Sequence, residues 1–225
     1  MNPFEVIGKV RETYRRDGLA VVLKEITRKI WDYQRAVWMI RELSVDSPKN
    51  KPLLPVEIDY SHSQETIAWI RRQNISGTAD HKELDIAIKY KHLFPSVKLE
   101  NKIVGYIKIG FDKVHVLDFR RCFDFPAKVA FIFDTYVDPK LRGKNIAPFL
   151  IDDVSEFMKE KGYAQIYCHI RVINSASIKA YQKCGFKPLR TIRWFNFFGL
   201  NFFSSSPERL WDKSTNKLFG FKFAL

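Results

Sequence analysis

The sequence of 225 residues contains no long hydrophobic run. Even its longest apolar runs are short, such as Ala36–Ile40, whereas a membrane-spanning helix needs about 18–20 apolar residues. Residues 1–16 include acids and lack the apolar stretch of a secretory signal. Together these absences predict a soluble, cytoplasmic protein.

Cysteine is scarce, with only three residues, Cys122, Cys168 and Cys184. The number is odd, the positions are far apart, and no C-x-x-C pair or neighbouring histidine pair accompanies them. We therefore expect reduced thiols in the core or on helix faces, and neither a disulfide framework nor a metal site.

Glycine and proline are also few, at 10 residues each, while 46% of the residues are hydrophobic and 15% aromatic. Such a chain can bury a core, which excludes disorder as its main state. The net charge of +13 attracts polyanions, including nucleic acids, anionic lipids and phosphorylated cofactors. Because acids are scattered among the bases along most of the chain, a nucleic-acid partner is disfavoured.

Two parts of the chain differ in pattern. From Leu19 to Ile40 the apolar residues recur every three or four positions among basic residues, which predicts an amphipathic helix. The polar, proline-bracketed segment Ser47–Pro52 resembles a linker. We therefore predict a basic helical extension with its linker over residues 1–50 and a second domain over residues 51–225.

The second part alternates strands with helices. Period-two and β-branched stretches predict strands at 56–60, 102–110, 113–119, 128–137, 165–172 and 186–203, the last folding back near Gly199, and helical spacing predicts helices at 63–72, 82–91, 145–161 and 174–183. This order is typical of an α/β fold with a mixed sheet.

One strand-to-helix junction carries a candidate binding site. The strand that ends at Val137 is followed by a short basic turn with Lys140, Arg142 and Lys144, and a helix then begins near Asn145. The unpaired N–H groups and the positive dipole end of such a helix favour a diphosphate. The spacing matches neither G-x-x-x-x-G-K-S/T nor G-x-G-x-x-G, which disfavours ATP and NAD.

A second cluster surrounds the helix at 174–183. Asn174 is a favourable N-cap residue, and Tyr181 follows seven positions later on the same side of the helix. Gly185 and Phe186 then end the helix and begin the next strand.

In this order and spacing, the two clusters resemble the GNAT superfamily of N-acetyltransferases. Residues 142–147 resemble its acetyl-CoA signature R/Q-x-x-G-x-G/A, and residues 174–186 resemble its segment N-x-x-A/S-x-x-x-Y-x-x-x-G-F. The resemblance spans about residues 55–190. Asn145 departs from it, standing where the signature has its first glycine, but asparagine tolerates a positive φ.

The resemblance implies a GNAT-like fold whose central strands, 128–137 and 165–172, diverge around the pantetheine arm of acetyl-CoA. It also implies that acetyl-CoA, or another acyl-CoA, is the co-substrate and that no metal is required. The implied cofactor-binding residues are Tyr136, Val137, Asp138, Arg142, Gly143, Lys144, Asn145, Ile146, Ala147 and Asn174.

For catalysis, the resemblance implies that Tyr181 is the general acid that protonates the CoA thiolate. The base stays open between Asp134, His169 and a relayed water, because Phe133 stands where relatives often carry glutamate. Each residue also has a structural interpretation: a packing tyrosine, an aspartate that braces a strand bulge and a core histidine.

The implied function is N-acyl transfer from acyl-CoA to a small-molecule or peptide amine. The alternatives are a non-catalytic CoA-binding or membrane-associated module and, less favoured, a nucleic-acid-binding protein. The basic extension at 1–50 and the aromatic segment Trp194–Phe203 could contact the inner face of a membrane or a second copy of the chain. The aromatic segment could also line an acceptor or long-acyl pocket.

Overall fold

The computed structural model describes residues 31–45, 49–73, 81–116, 121–197, 200–203 and 220–222. Its contacts divide the chain into two units. The smaller unit comprises Met1–Arg35 with Ile192–Pro207, and the larger one comprises Ala36–Thr191 with Glu208–Leu225.

The described residues form strands and helices in an alternating order. The strands are β1 (Trp31–Glu42), β2 (Val56–Asp59), β3 (Ser96–Leu99), β4 (Lys102–Phe111), β5 (Lys113–Val116), β6 (Arg121–Asp124), β7 (Val129–Val137), β8 (Gln165–Arg171), β9 (Lys187–Phe197), β10 (Leu200–Phe203) and β11 (Gly220–Lys222). The helices are α1 (Ser63–Gln73), α2 (His81–Lys89), α3 (Ile146–Glu160) and α4 (Ser175–Lys183). Each element predicted between residues 56 and 183 is present, while β3, β6 and β11 are additional.

A mixed sheet forms the centre of the larger unit, in the order β1-β8-β7-β4-β3-β2. β7 and β8 are parallel, and the other neighbouring pairs in this series are antiparallel. β5 pairs with β6 instead of β4, and together with β11 they form a second, three-stranded sheet. The predicted α/β class with a mixed sheet is confirmed.

The prediction of a helix is wrong for residues 31–42, which form β1. This strand pairs antiparallel with β8, from Ala36 opposite Arg171 to Glu42 opposite Gln165. Trp38 and Met39 point to opposite faces of the sheet, and both are fully buried. Because the strand is buried on both faces, its apolar and polar residues do not alternate regularly. The spacing of its apolar residues therefore matched that of a helix by coincidence.

The N-terminal prediction is otherwise untested. Residues 1–30 lie outside the described residues, so the helical extension remains a prediction there, as do the domain boundary after residue 50 and any membrane or dimer contact of this segment.

The helices cover both faces of the sheet in the larger unit. On one face, α3 buries an apolar stripe against the strands, comprising Ile146, Leu150, Ile151, Val154 and Met158. On the other, Ile67 and Ile70 of α1 and Leu84 of α2 pack with Tyr106. Because successive side chains of a strand point to opposite faces, Tyr106 and its neighbour Ile107 belong to different clusters.

The site depends on a gap between β7 and β8. The two strands pair only from Val129–Gln165 to Ile132–Cys168 and then diverge, which confirms the predicted splayed pair. Beside the divergence point, β7 carries a bulge: Lys108 of β4 lies opposite Asp134 and Ile109 lies opposite Ile132, so Phe133 is the extra residue.

In the smaller unit, β9 and β10 form an antiparallel hairpin that runs from Phe197–Leu200 to Trp194–Phe203. The predicted fold-back near Gly199 is therefore confirmed, although residues 198–199 lie outside the described residues. Among the parts of the chain that the structure describes, no helix is both long and apolar enough to cross a membrane.

Candidate active site

The connection from β7 to α3 is a tight basic loop. Asp138 begins it, and its Oδ1 accepts a 2.9 Å hydrogen bond from the Lys140 N–H at a 3-10 turn. Gly143 and Asn145 then adopt left-handed conformations, with φ of 80° and 60°. Asparagine at position 145 thus takes the backbone conformation that its positive-φ tolerance allows, and α3 begins at the next residue.

A cavity of about 460 Å³ lies between this loop and α4. Among the described residues, its charged lining residues are Arg142, Lys179 and Lys183, without a carboxylate. The N-terminus of α3 opens into the same cavity, so helix-dipole and side-chain charges both favour an anion there. Eight of the predicted cofactor-binding residues line this cavity, namely Tyr136, Val137, Arg142, Gly143, Asn145, Ile146, Ala147 and Asn174.

Two predicted cofactor-binding residues do not line the cavity. The Asp138 side chain caps the 3-10 turn, as described above. The Lys144 carbonyl accepts a 2.9 Å hydrogen bond from the Leu53 N–H. Conversely, the sequence motifs did not single out Lys179 and Lys183, because lysines on a helix surface resemble ordinary solvated charge.

The edge of β7 that faces the gap offers backbone hydrogen-bonding groups. The Asp138 N–H donates to the Val104 carbonyl at 2.8 Å, so Asp138 faces β4. Facing directions alternate along an antiparallel pair, which turns the N–H and C=O groups of Thr135 and Val137 toward the gap. Arg142 Nε lies 3.3 Å from the Val137 carbonyl oxygen and donates to it, in agreement with that direction.

Tyr181 lines the cavity from α4. Asn174 caps α4 by accepting a 3.1 Å hydrogen bond from the Ser177 N–H, and Tyr181 is near the end of the same helix. The Tyr181 hydroxyl lies 2.8 Å from the Thr135 hydroxyl, and only 4% of the residue is exposed. Burial raises the pKa of Tyr181 well above its usual value, so the phenol is in its protonated form at neutral pH.

A second cavity, of about 280 Å³, adjoins the first at the divergence of β7 and β8. Thr135, Asn174, Ser177 and Tyr181 line both cavities. The second cavity is also lined by Phe133, Asp134, His169 and Arg171. The structure therefore brings the three predicted catalytic residues, Tyr181, Asp134 and His169, around one space.

Asp134 follows the bulged residue and is held by a neighbouring strand. The Tyr106 hydroxyl donates to Asp134 Oδ2, and Tyr106 itself is fully buried on β4. The Phe133 ring lies 4.4 Å from Lys108 Nζ and 5.0 Å from the His92 ring. The bulge thus gives consecutive residues Phe133 and Asp134 access to the same cavity.

His169 projects from β8 into an aromatic environment. Its ring stacks on Phe131 at 5.8 Å and lies 6.1 Å from the Trp38 ring. These contacts fit a packed core histidine, while its position on the second cavity fits a role in proton transfer. Cys168, the preceding residue, is a buried free thiol whose pKa is raised by burial.

One cluster on the surface has the residue types of a metal site. The ligand atoms of Asp59, His62 and Glu65 all lie within 4.8 Å of one another. Lys98 Nζ, however, lies 2.8 Å from Asp59 Oδ2 and 3.0 Å from Glu65 Oε2. The Lys98 ammonium group is therefore paired with both carboxylates, and it holds the pKa of Asp59 well below its usual range.

The sequence comparison identifies the family. The sequence profile of the Acetyltransferase (GNAT) family matches residues 57–186, which is more than half of the chain. The protein belongs to the GNAT acetyltransferase family, as the two motifs indicate. No curated protein sequence matches the chain significantly.

Solved structures agree with this fold. A Drosophila protein superposes with a TM-score of 0.54 at 13% identity, over 81% of this chain and 58% of the other. A GNAT-family acetyltransferase from Colwellia psychrerythraea superposes with a TM-score of 0.53 at 14% identity, over 74% of this chain and 57% of the other. The chain thus spans less than three fifths of either structure, and identities this low establish a shared fold alone.

Proposed function

We propose that the protein is an N-acyltransferase that transfers an acetyl group from acetyl-CoA to a small-molecule or peptide amine by direct attack. The observation that carries this proposal is the buried Tyr181 hydroxyl, which lies where the two cavities adjoin. One cavity has the charge and backbone groups suited to a nucleotide thioester. The other shares Thr135, Asn174, Ser177 and Tyr181 with it and carries Asp134 and His169, which suits an acceptor amine.

The first cavity fits acetyl-CoA in charge and in hydrogen-bonding pattern. Amides of residues 143–147 at the start of α3 would bind the diphosphate, and Arg142, Lys179 and Lys183 would surround the phosphates with positive charge. The exposed edge of β7 at Thr135 and Val137 would pair with the amides of the pantetheine arm in the manner of an added strand. Acetyl-CoA supplies an activated thioester to this space.

Tyr181 is the proposed general acid. Its hydroxyl is protonated at neutral pH, as a general acid must be before it delivers a proton to the leaving thiolate. The Thr135 hydroxyl, 2.8 Å away, orients the phenol toward the gap. The Val137 N–H, which faces the gap, can stabilise negative charge that develops on the thioester carbonyl oxygen.

Asp134 is the proposed base for the acceptor. An ammonium acceptor must lose a proton before it attacks, and a carboxylate both attracts the ammonium and accepts that proton. The hydrogen bond from Tyr106 restrains one carboxylate oxygen, and Asp134 lines the second cavity. His169 lines the same cavity and is the alternative base.

The test combines binding with turnover. Isothermal titration should detect acetyl-CoA binding, and a thiol-release assay against a panel of amines should identify an acceptor. In that assay, Asp134→Asn should lower kcat at least tenfold, while His169→Gln should lower it less. The reverse order would assign the base to His169, and unchanged rates in both variants would favour a relayed water. Binding without thiol release for any amine would favour a non-catalytic CoA-binding protein.

A further inference from the structure

The side chain of Asn145, the residue that precedes α3, forms a hydrogen bond outside the helix. It occupies the N-cap position of α3 but makes no side-chain capping bond. Its Nδ2 instead donates to the Lys51 carbonyl at 2.7 Å. The side chain therefore links the phosphate-binding loop to a segment that lies 94 residues earlier in the sequence.

The segment at 49–54 makes further hydrogen bonds to the same region. The Leu53 N–H donates to the Lys144 carbonyl at 2.9 Å. The backbone N–H and the side-chain amide of Asn50 both donate to Asp152 Oδ2, at 2.9 and 2.7 Å. Asp152 lies in α3, and its Oδ1 accepts from Arg41 at 2.9 Å. Segment 49–54 is thus fixed to α3 at one end and to the loop at the other.

These bonds determine where one loop amide points. In a planar trans peptide, the C=O of one residue and the N–H of the next point in opposite directions. Because the Lys144 carbonyl is bonded to segment 49–54, the Asn145 N–H points away from that segment. Asn145 lines the first cavity, and an N–H that points away from segment 49–54 is compatible with an anion bound there.

The geometry points to Asn145 as a positioning residue for CoA binding: its side chain fixes segment 49–54 against the loop and so holds the loop amides ready for the diphosphate. This inference rests on the proposed function. It also gives a reason why asparagine can replace the glycine of the GNAT signature, since both accept a φ of 60° but only asparagine can donate to Lys51. The glycine pattern alone predicts that Asn145→Gly is neutral or improves binding.

The test makes the same substitution, asparagine to glycine, at two positions. Asn145→Gly keeps the left-handed backbone accessible and removes only the side-chain donor. Asn101→Gly is the matched control, because Asn101 has a φ of 62°, lies in the turn between β3 and β4, and lines neither cavity. Titration with acetyl-CoA should show binding weakened about three- to tenfold in Asn145→Gly, which corresponds to one lost hydrogen bond, and unchanged in Asn101→Gly.

Two further readouts separate positioning from general destabilisation. In the turnover assay, Asn145→Gly should raise KM for acetyl-CoA by the same factor and leave kcat unchanged. Hydrogen exchange should become faster at the amides of Leu53 and residues 145–147 in this variant only. Equal or tighter acetyl-CoA binding by Asn145→Gly would overturn the inference. If the wild-type protein binds no acetyl-CoA, the proposed function fails, and unchanged exchange at Leu53 would then also refute the structural link.

Discussion

Replacing Tyr181 with phenylalanine removes the proposed acid and little else. The ring is retained in its pocket, where it packs edge-on against Phe186 at 5.0 Å, and only the hydroxyl beside Thr135 is lost. A positioned acid contributes about 10²–10⁴-fold to a rate. The Thr135 hydroxyl and water in the adjoining cavities remain as poorer donors, so we expect kcat to fall about 10–100-fold.

The other parameters should change little. The substitution leaves the basic residues of the cavity, Arg142, Lys179 and Lys183, unchanged, so KM for acetyl-CoA should stay within about threefold. Loss of one buried hydrogen bond should lower the free energy of unfolding by about 1 kcal/mol. Urea denaturation of both proteins would show whether folding or chemistry is affected.

The assay measures thiol release at saturating acetyl-CoA between pH 6 and 9. Tyr163→Phe is the matched control, because it deletes the same atom from a partly buried tyrosine that lines neither cavity. This control should keep full activity. If Tyr181→Phe keeps kcat within twofold of the wild type across this pH range, Tyr181 is not the acid.

Three other changes test the surroundings of the site. Burial lowers the pKa of His92 from 6.5 to about 4, so the unfolded chain binds a proton that the folded chain resists. Stability should therefore decrease as the pH falls from about 6.5 to 4, by at most about 3 kcal/mol, and urea denaturation of His92→Gln should show a smaller decrease. The double variant Lys179→Ala, Lys183→Ala should raise KM for acetyl-CoA and weaken its dependence on salt concentration, whereas equal KM values would exclude these lysines from phosphate binding. A Cβ added at Gly105 would lie 2.5 Å from the Tyr136 carbonyl oxygen, so Gly105→Ala should lower the free energy of unfolding by about 1–3 kcal/mol in urea, and an unchanged value would contradict the packing at this position.

The strands and helices that carry the site could be predicted because their signals are local. Asn174, Gly185 and the apolar stripe of α3 mark helix ends and faces directly in the sequence. β1 could not be predicted in this way. Its place inside the sheet depends on pairing with β8, which follows about 130 residues later and leaves no local trace.

The part of the candidate site that the two sequence motifs cover could be predicted. The residues near the α3 N-terminus and Tyr181 lie where the motifs indicate, around one cavity. The link between Asn145 and Lys51 could not be foreseen, because neither residue belongs to a contact pattern with fixed spacing. Lys179 and Lys183 could not be singled out from the sequence, because only the structure shows that they line the cavity.

The divergence of β7 and β8 places an unpaired edge in the middle of a sheet. Only four residue pairs, Val129–Gln165 to Ile132–Cys168, join the ladder formed by β1 and β8 to the ladder formed by β7, β4, β3 and β2. The centre of a sheet is ordinarily its slowest-exchanging part. In this protein the amides of Thr135 and Val137 should instead exchange quickly until a ligand occupies the gap between β7 and β8. A ligand bound there would connect the two groups of strands by hydrogen bonds.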